Sequence, residues 1–195
     1  MKRISIIFFL VFPLVSFAQE RGIGLRLGEP FSVTYKDFIS DYVSFEAMIG
    51  SAGVNSSSYY LRDFENNPPE ANSFHQSNSA KKGLSINARM AYHEDFTDAF
   101  GITQGYLLVY GGAGAQFRSN RVTYLYTVQT VNTGAVPKQE DRTNVDFGPE
   151  VFAGLEYYFD DVPLNVFVEG GIFLELLDRV GHLKGQGGIG VRYIF

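Results

Sequence analysis

Three histidines, His75, His93 and His182, bound the acid–base and metal chemistry open to this chain. His93-Glu94-Asp95, with Asp98 close behind, sets one imidazole among three carboxylates. A metal ion needs ligands that converge from more than one element. One histidine with flanking acids predicts instead a solvated acidic turn and no metal. His182 opens the last strand-like segment and is expected at the surface. The absence of cysteine excludes disulfides, thiolate metal centres, a thiol nucleophile and a lipid-modified N-terminal cysteine. A formal charge of −5 argues against a broad nucleic-acid surface. The richest set of charged residues is Arg26, Lys36, Glu46, Arg89, Glu150, Glu156, Glu169 and Arg192. All but Lys36, which Asp37 follows, alternate with apolar neighbours along their segments. Charges of both signs on such a face, if buried, survive only as hydrogen-bonded pairs.

That alternation runs through most of the chain. Leu84, Ile86, Ala88, Met90 and Tyr92 interleave with Ser85, Asn87, Arg89, Ala91 and His93. Leu164, Val166, Val168, Gly170, Ile172, Leu174 and Leu176 interleave with Asn165, Phe167, Glu169, Gly171, Phe173 and Glu175. Period two is the signature of strands with two unlike faces, and no stretch shows a comparable helical period with caps. The strands are expected at 21–28, 31–39, 42–54, 82–93, 105–118, 146–158, 164–176 and 182–195. Mean hydropathy, −0.04, is that of a soluble protein, but an average cannot register alternation.

The N-terminus has another character. Lys2 and Arg3 precede an almost wholly apolar run, Ile4 to Val15, and Ser16-Phe17-Ala18 sets small residues at −3 and −1 before Gln19. This is the order of a secretory signal, expected to span residues 1–18 and leave a mature domain of 19–195. Its two cations leave with it, so the mature charge becomes −7.

Connections alternate in length. Those near 40, 94–104 and 159–163 are short or moderate, and Gly28-Glu29-Pro30 predicts a tight turn. Segments 55–81 and 119–145 each run 27 residues and carry Asn-Asn-Pro-Pro and Asn-Thr-Gly punctuation. Arg121 to Val131 is rich in Val, Thr and Tyr and suits strand extension. With eight strands, parity puts both long segments on one side and the N-terminus on the other. That is the plan of an outer-membrane barrel. Alternation alone also fits a secreted soluble β-barrel that binds an apolar ligand inside. Three features favour lipid. Phe195 and Tyr193 end an amphipathic strand. Phe38, Tyr42, Tyr92, Phe96, Phe100, Tyr106, Tyr157, Tyr158, Phe159, Tyr193 and Phe195 fall at one level as an interfacial girdle. The polar face carries ions of both signs with many glycines. The eight ions named above are assigned to the barrel interior as a structural charge network. Glycines 112, 114, 148, 154, 171, 188 and 190 are expected to make room for them, and no open channel is expected.

Topology, the opening Gly22-Ile23-Gly24-Leu25-Arg26-Leu27-Gly28 and the closing Gly190-Val191-Arg192-Tyr193-Ile194-Phe195 resemble the small eight-stranded outer-membrane β-barrel proteins, the OmpA/OmpX-like group. The resemblance covers the whole mature chain. It implies an all-β, eight-stranded antiparallel up-and-down transmembrane β-barrel in the outer membrane of a Gram-negative cell envelope. It also implies a C-terminal insertion signal at Tyr193 and Phe195 read by the insertion machinery, and structural, adhesive or porin-like roles. The soluble domain of the larger relatives is expected to be missing. Phe74-His75-Gln76-Ser77-Asn78 separately resembles the His-x-Ser-Asn stretch of outer-membrane lipid A deacylases. There a serine attacks an acyl ester, a histidine is its base and an acid orients the histidine. Here the motif falls in an expected loop and no acid is suitably placed.

The resulting expectation is a monomeric, non-enzymatic barrel without cofactor or metal. Its partners would be outer-membrane lipid and lipopolysaccharide, and an extracellular protein or ligand met through 55–81 and 119–145. Tyr59, Tyr60, Tyr124 and Tyr126 are candidate contact residues there. Lys81, Lys82, Arg118, Arg121, Arg142, Arg179 and Lys184 lie toward the outer rim, where they could meet lipid phosphates. Asp63, Glu65, Glu70, Glu140 and Asp141 nearly balance them. The alternatives are a deacylase-like hydrolase using His75 and Ser77, and the soluble barrel.

Overall fold

The structure, a computed structural model, describes residues 21–130 and 134–195. The expected signal segment lies outside the described residues. Eight antiparallel strands, β1 (Arg21–Glu29), β2 (Phe31–Phe38), β3 (Val43–Ala52), β4 (Ser73–Asp95), β5 (Tyr106–Thr130), β6 (Gly134–Tyr158), β7 (Leu164–Leu174) and β8 (Leu183–Ile194), pair in sequence order. The ring closes where β1 meets β8, from Gly22 opposite Ile194 to Glu29 opposite Gly187. Closure removes the free edges that an open eight-stranded sheet would present.

The burial of this barrel is inverted relative to a soluble one. Ile23, Leu25, Ile49, Ile86, Met90, Val151, Val168, Ile172, Ile189 and Val191 are exposed on its outer wall. Arg26, Lys36, Glu46, Arg89, Glu156, Glu169 and Arg192 are buried within. A wall of this kind is stable only against hydrocarbon, where every backbone group is satisfied within the ring. The class is therefore a transmembrane β-barrel, and no ionic lumen of this kind could hold an apolar ligand. β1, β2, β3, β7 and β8 have 8 to 12 residues each, close to the ~9–11 needed to cross a bilayer.

Three strands are much longer. β4 has 23 residues, and β5 and β6 have 25 each. They continue as a three-stranded extension built from most of what reads as two loops. Pairing of β5 with β6 runs unbroken from Tyr106 opposite Tyr158 to Thr130 opposite Gly134. The sequence expectation of strand for 121–131 covered only half of this. The returning half contains Pro137, Lys138, Gln139, Glu140, Asp141 and Arg142, poor strand formers held in place by β5. One helix, α1 (Ser57–Asn66), packs on the extension. Ser56 caps it, its Oγ accepting from the Tyr59 N–H at 3.3 Å. Tyr60 and Phe64, four residues apart, share its buried face.

Candidate functional site

The interior ions form one chain of alternating sign. Lys36 donates to Glu156, which also accepts from Arg192 at 3.2 Å; Arg192 reaches Glu46 at 2.5 Å. Glu46 accepts from Arg89, Arg89 donates to Glu169 at 2.9 and 3.0 Å, and Arg26 Nε donates to Glu169 at 2.7 Å. Seven ions from β2, β6, β8, β3, β4, β7 and β1 thus run from Lys36 to Arg26, each cation beside a carboxylate. Tyr110 of β5 donates to Glu169 at 3.0 Å, so all eight strands take part. The eighth ion, Glu150, accepts from Asn87 at 2.9 Å. The structure therefore joins seven of the eight ions named from the sequence into one chain and buries the eighth beside Asn87.

Several members were not named. His93 is not part of a solvated turn. It is 2% exposed, with Nε2 2.8 Å from Lys36 Nζ and 3.3 Å from Glu156. Its phase with Arg89, four residues earlier on β4, carried that signal. Glu94, Asp95 and Asp98 do lie exposed, and no group of metal-binding side chains occurs among the described residues. Phe38 and Tyr158, expected in the outer girdle, point inward because they share strand parity with Lys36 and Glu156. Phe38 packs on His93 at 4.8 Å, and Tyr158 donates to Glu156 at 3.1 Å. Tyr42, Tyr92, Phe100, Phe159, Tyr193 and Phe195 are exposed at the strand ends. The glycines make room mainly for rings. A Cβ at Gly190 would lie 2.3 Å from Phe167, and one at Gly154 2.7 Å from Tyr110; of the seven glycines named from the sequence, Gly114 and Gly188 clear an arginine. The rings in turn carry the guanidinium groups, with Arg192 3.7 Å from the Phe167 centroid and Arg89 4.1 Å from that of Phe152.

Above the ionic chain lies a neutral belt. Gln186 donates to Gln116, which donates to Ser85 at 3.1 Å. Nearer the mouth, Arg118 and Lys184 each lie 3.2 Å from Glu29, and Arg118 donates to the Gly53 carbonyl. α1 sits across this mouth. Tyr59 donates to Glu175 Oε1 at 2.6 Å, and Arg179 lies 5.4 Å from the Tyr59 ring centroid. Burial and the neighbouring Asp146 push the Glu175 carboxyl, in the β7–β8 loop, up to about 7. Burial also lowers the pKa of His182, a half-buried residue against Tyr59. The four tyrosines expected as contact residues are buried, at 5% exposure or less. With Phe64, Val122 and Val128 they form the core between α1 and the extension. Tyr124 donates to Asp63 at 2.8 Å.

His75 and Ser77 do not form a nucleophile–base pair. His75 Nε2 meets the Asn78 amide at 3.1 Å and its ring packs on Phe64, while Ser77 is exposed. A register irregularity falls between them: His75 pairs with Tyr126 and Ser77 with Leu125.

The architecture is a closed, eight-stranded, antiparallel up-and-down β-barrel. No family model and no curated protein matches the chain. Among solved structures it is similar to the N-terminal β-barrel domain of Pseudomonas aeruginosa OprF, with 14% identity and a TM-score of 0.49 over 91% of this chain and 96% of that one. It is similar to Ail of Yersinia pestis, solved with the heparin analogue sucrose octasulfate, with 12% identity and a TM-score of 0.41 over 91% and 96%. It is also similar to Neisserial surface protein A, with 15% identity and a TM-score of 0.44 over 91% and 94%.

Proposed function

We propose that this chain is an integral outer-membrane barrel of a Gram-negative envelope, non-enzymatic and monomeric. Its lumen is plugged by the ionic chain, and its working surface is the extension formed from 55–81 and 119–145. The observation that carries this reading is one-sidedness. The apolar wall is matched to a bilayer, and everything beyond it, α1 and the outer halves of β4, β5 and β6, projects from the same end. The connections at the other end, 39–42, 96–105 and 159–163, are each shorter than the two excursions 55–81 and 119–145, as expected of periplasmic turns. Export would depend on residues 1–18. Insertion would use Tyr193, on β8 where the ring closes on β1, and Phe195 just past the end of that strand, both exposed. Structural support, or contact with an extracellular protein or ligand, are the roles such a body serves. A deacylase reading has no support in the geometry of His75 and Ser77.

Membrane fractionation of cells expressing the full chain, with external protease, tests the reading. The protein should sediment with outer membranes and migrate faster unboiled than boiled. Protease should cut only outside the barrel wall. Recovery as a soluble periplasmic protein without detergent would overturn it.

A further inference from the structure

The structure sorts the seven outer-rim bases into two groups. Arg118 and Lys184 point into the mouth and pair with Glu29. Arg142 is held by Glu140 and the Asn67 carbonyl, and Arg179 by the Tyr59 ring. Lys81, Lys82 and Arg121 are different: all three are exposed, and none has a hydrogen bond or ion pair among the described residues.

These three are neighbours by construction. Lys81 and Arg121 are Cα partners across β4 and β5. Arg121 shares the outer face of β5 with Leu125, because Asn120, Val122 and Tyr124, on the alternate positions, are buried. In a regular strand Lys81 and Leu84 would face opposite ways. The register shift between them puts one extra residue on β4, so that Lys81 opposes Arg121 and Leu84 opposes Ser119, both outward. Lys82 lies inside this bulge and is exposed. Leu84 sits one outward position below the cluster, about 7 Å away along the strand. With Ile86 and Phe147 it belongs to the exposed apolar wall. The cations therefore stand at the upper border of that wall, with stems long enough to keep their charges in the polar layer. Among the described residues, the carboxylate nearby on the same face, Asp141, is two residues further out than the Arg121 partner Thr143 and is engaged by the Thr123 hydroxyl at 2.7 Å.

We propose that Lys81, Lys82 and Arg121 form a binding patch for lipid-borne phosphate of the outer leaflet. The proposal rests on the membrane reading above and assigns its lipid contact to three residues. Three donors of fixed sign at headgroup depth, with apolar wall directly beneath, match a ligand with phosphate above and acyl chains below.

The test titrates the folded full chain in zwitterionic detergent with diphosphorylated lipid A and follows backbone amide resonances. Shifts should saturate, cluster at 79–84 and 119–123, and weaken when salt rises from about 0.05 to 0.5 M. The triple variant Lys81→Gln/Lys82→Gln/Arg121→Gln should bind at least about tenfold more weakly, and Arg121→Lys alone should bind nearly as the parent. Variant affinity within twofold of the parent, shifts centred elsewhere, or equal response to inorganic phosphate would each overturn the assignment. Heat-modifiable mobility of parent and variant is read alongside. Its absence in the parent would sink the membrane reading, while its presence with unchanged lipid affinity would sink only this inference.

Discussion

Glu169 is the residue on which the interior chain turns. Its carboxylate accepts from Arg26, twice from Arg89, and from Tyr110. Removing that charge leaves two buried guanidinium groups facing each other with no counter-ion between them. Breaking a buried pair from one side costs about 3–5 kcal/mol, whereas replacing both partners by apolar groups is often neutral. Glu169→Gln should therefore lower stability by about that amount in urea unfolding from lipid vesicles, while Arg89→Met/Glu169→Leu should recover part of the loss. A single variant as stable as the parent would show the chain to be incidental to folding. The interior residues were legible from strand parity alone, because with period two a charge interleaved with apolar neighbours has only one face to go to. Parity also held the answer for His93, Phe38 and Tyr158. They were misjudged because each sits at a strand end, where residue type suggested a turn or a girdle more strongly than phase suggested the lumen.

At the scale of elements, the extension and its helix were only partly legible. Val122, Tyr124, Tyr126 and Val128 show the alternation of a strand with one buried face. What covers that face, α1, is a ten-residue helix in a Ser- and Asn-rich stretch. Its cap at Ser56 and its Tyr60–Phe64 spacing were present but too short to outweigh the composition, and such helices depend on tertiary packing. That packing is tied to pH through Glu175. Burial, with Asp146 and Asp178 nearby, raises its carboxyl to about 7, against the opposing effect of donation from Tyr59 and the Arg179 N–H. A carboxyl whose pKa is raised on docking favours the protonated, docked state. The contribution is complete below the ordinary value near 4.5 and is lost as pH rises through about 7. The cysteine-free chain permits a single nitroxide at Arg62→Cys on the exposed side of α1. Its spectrum should be immobilised at pH 5 and more mobile at pH 8, and Glu175→Gln should hold it immobilised throughout. A pH-independent parent spectrum would mean that the tyrosine core alone holds α1.

For the molecule as a whole, the lumen is closed in series and not at one constriction. The ionic chain fills the inner part of the barrel, the Gln186–Gln116–Ser85 belt lies above it, and α1 with Tyr59 and Tyr60 covers the mouth. An eight-stranded barrel is narrow enough for side chains to fill it, so each layer can block water by itself. Closure in series has a consequence that a single plug would not have: opening one layer should leave the path shut. In planar bilayers the parent should show no resolved conductance steps. Arg26→Ser/Arg89→Ser/Glu169→Ser, which clears the centre of the ionic chain while removing two cations and one anion, should remain silent if it inserts with heat-modifiable mobility. Tyr59→Ala/Tyr60→Ala, which loosens the lid, should be equally silent. Steps should emerge only when both sets are combined with Gln116→Gly, which thins the belt between them. Large stable steps from the parent would contradict closure altogether. Steps from the luminal variant alone would show that the ionic chain is the sole barrier and that α1 lies over an already open mouth.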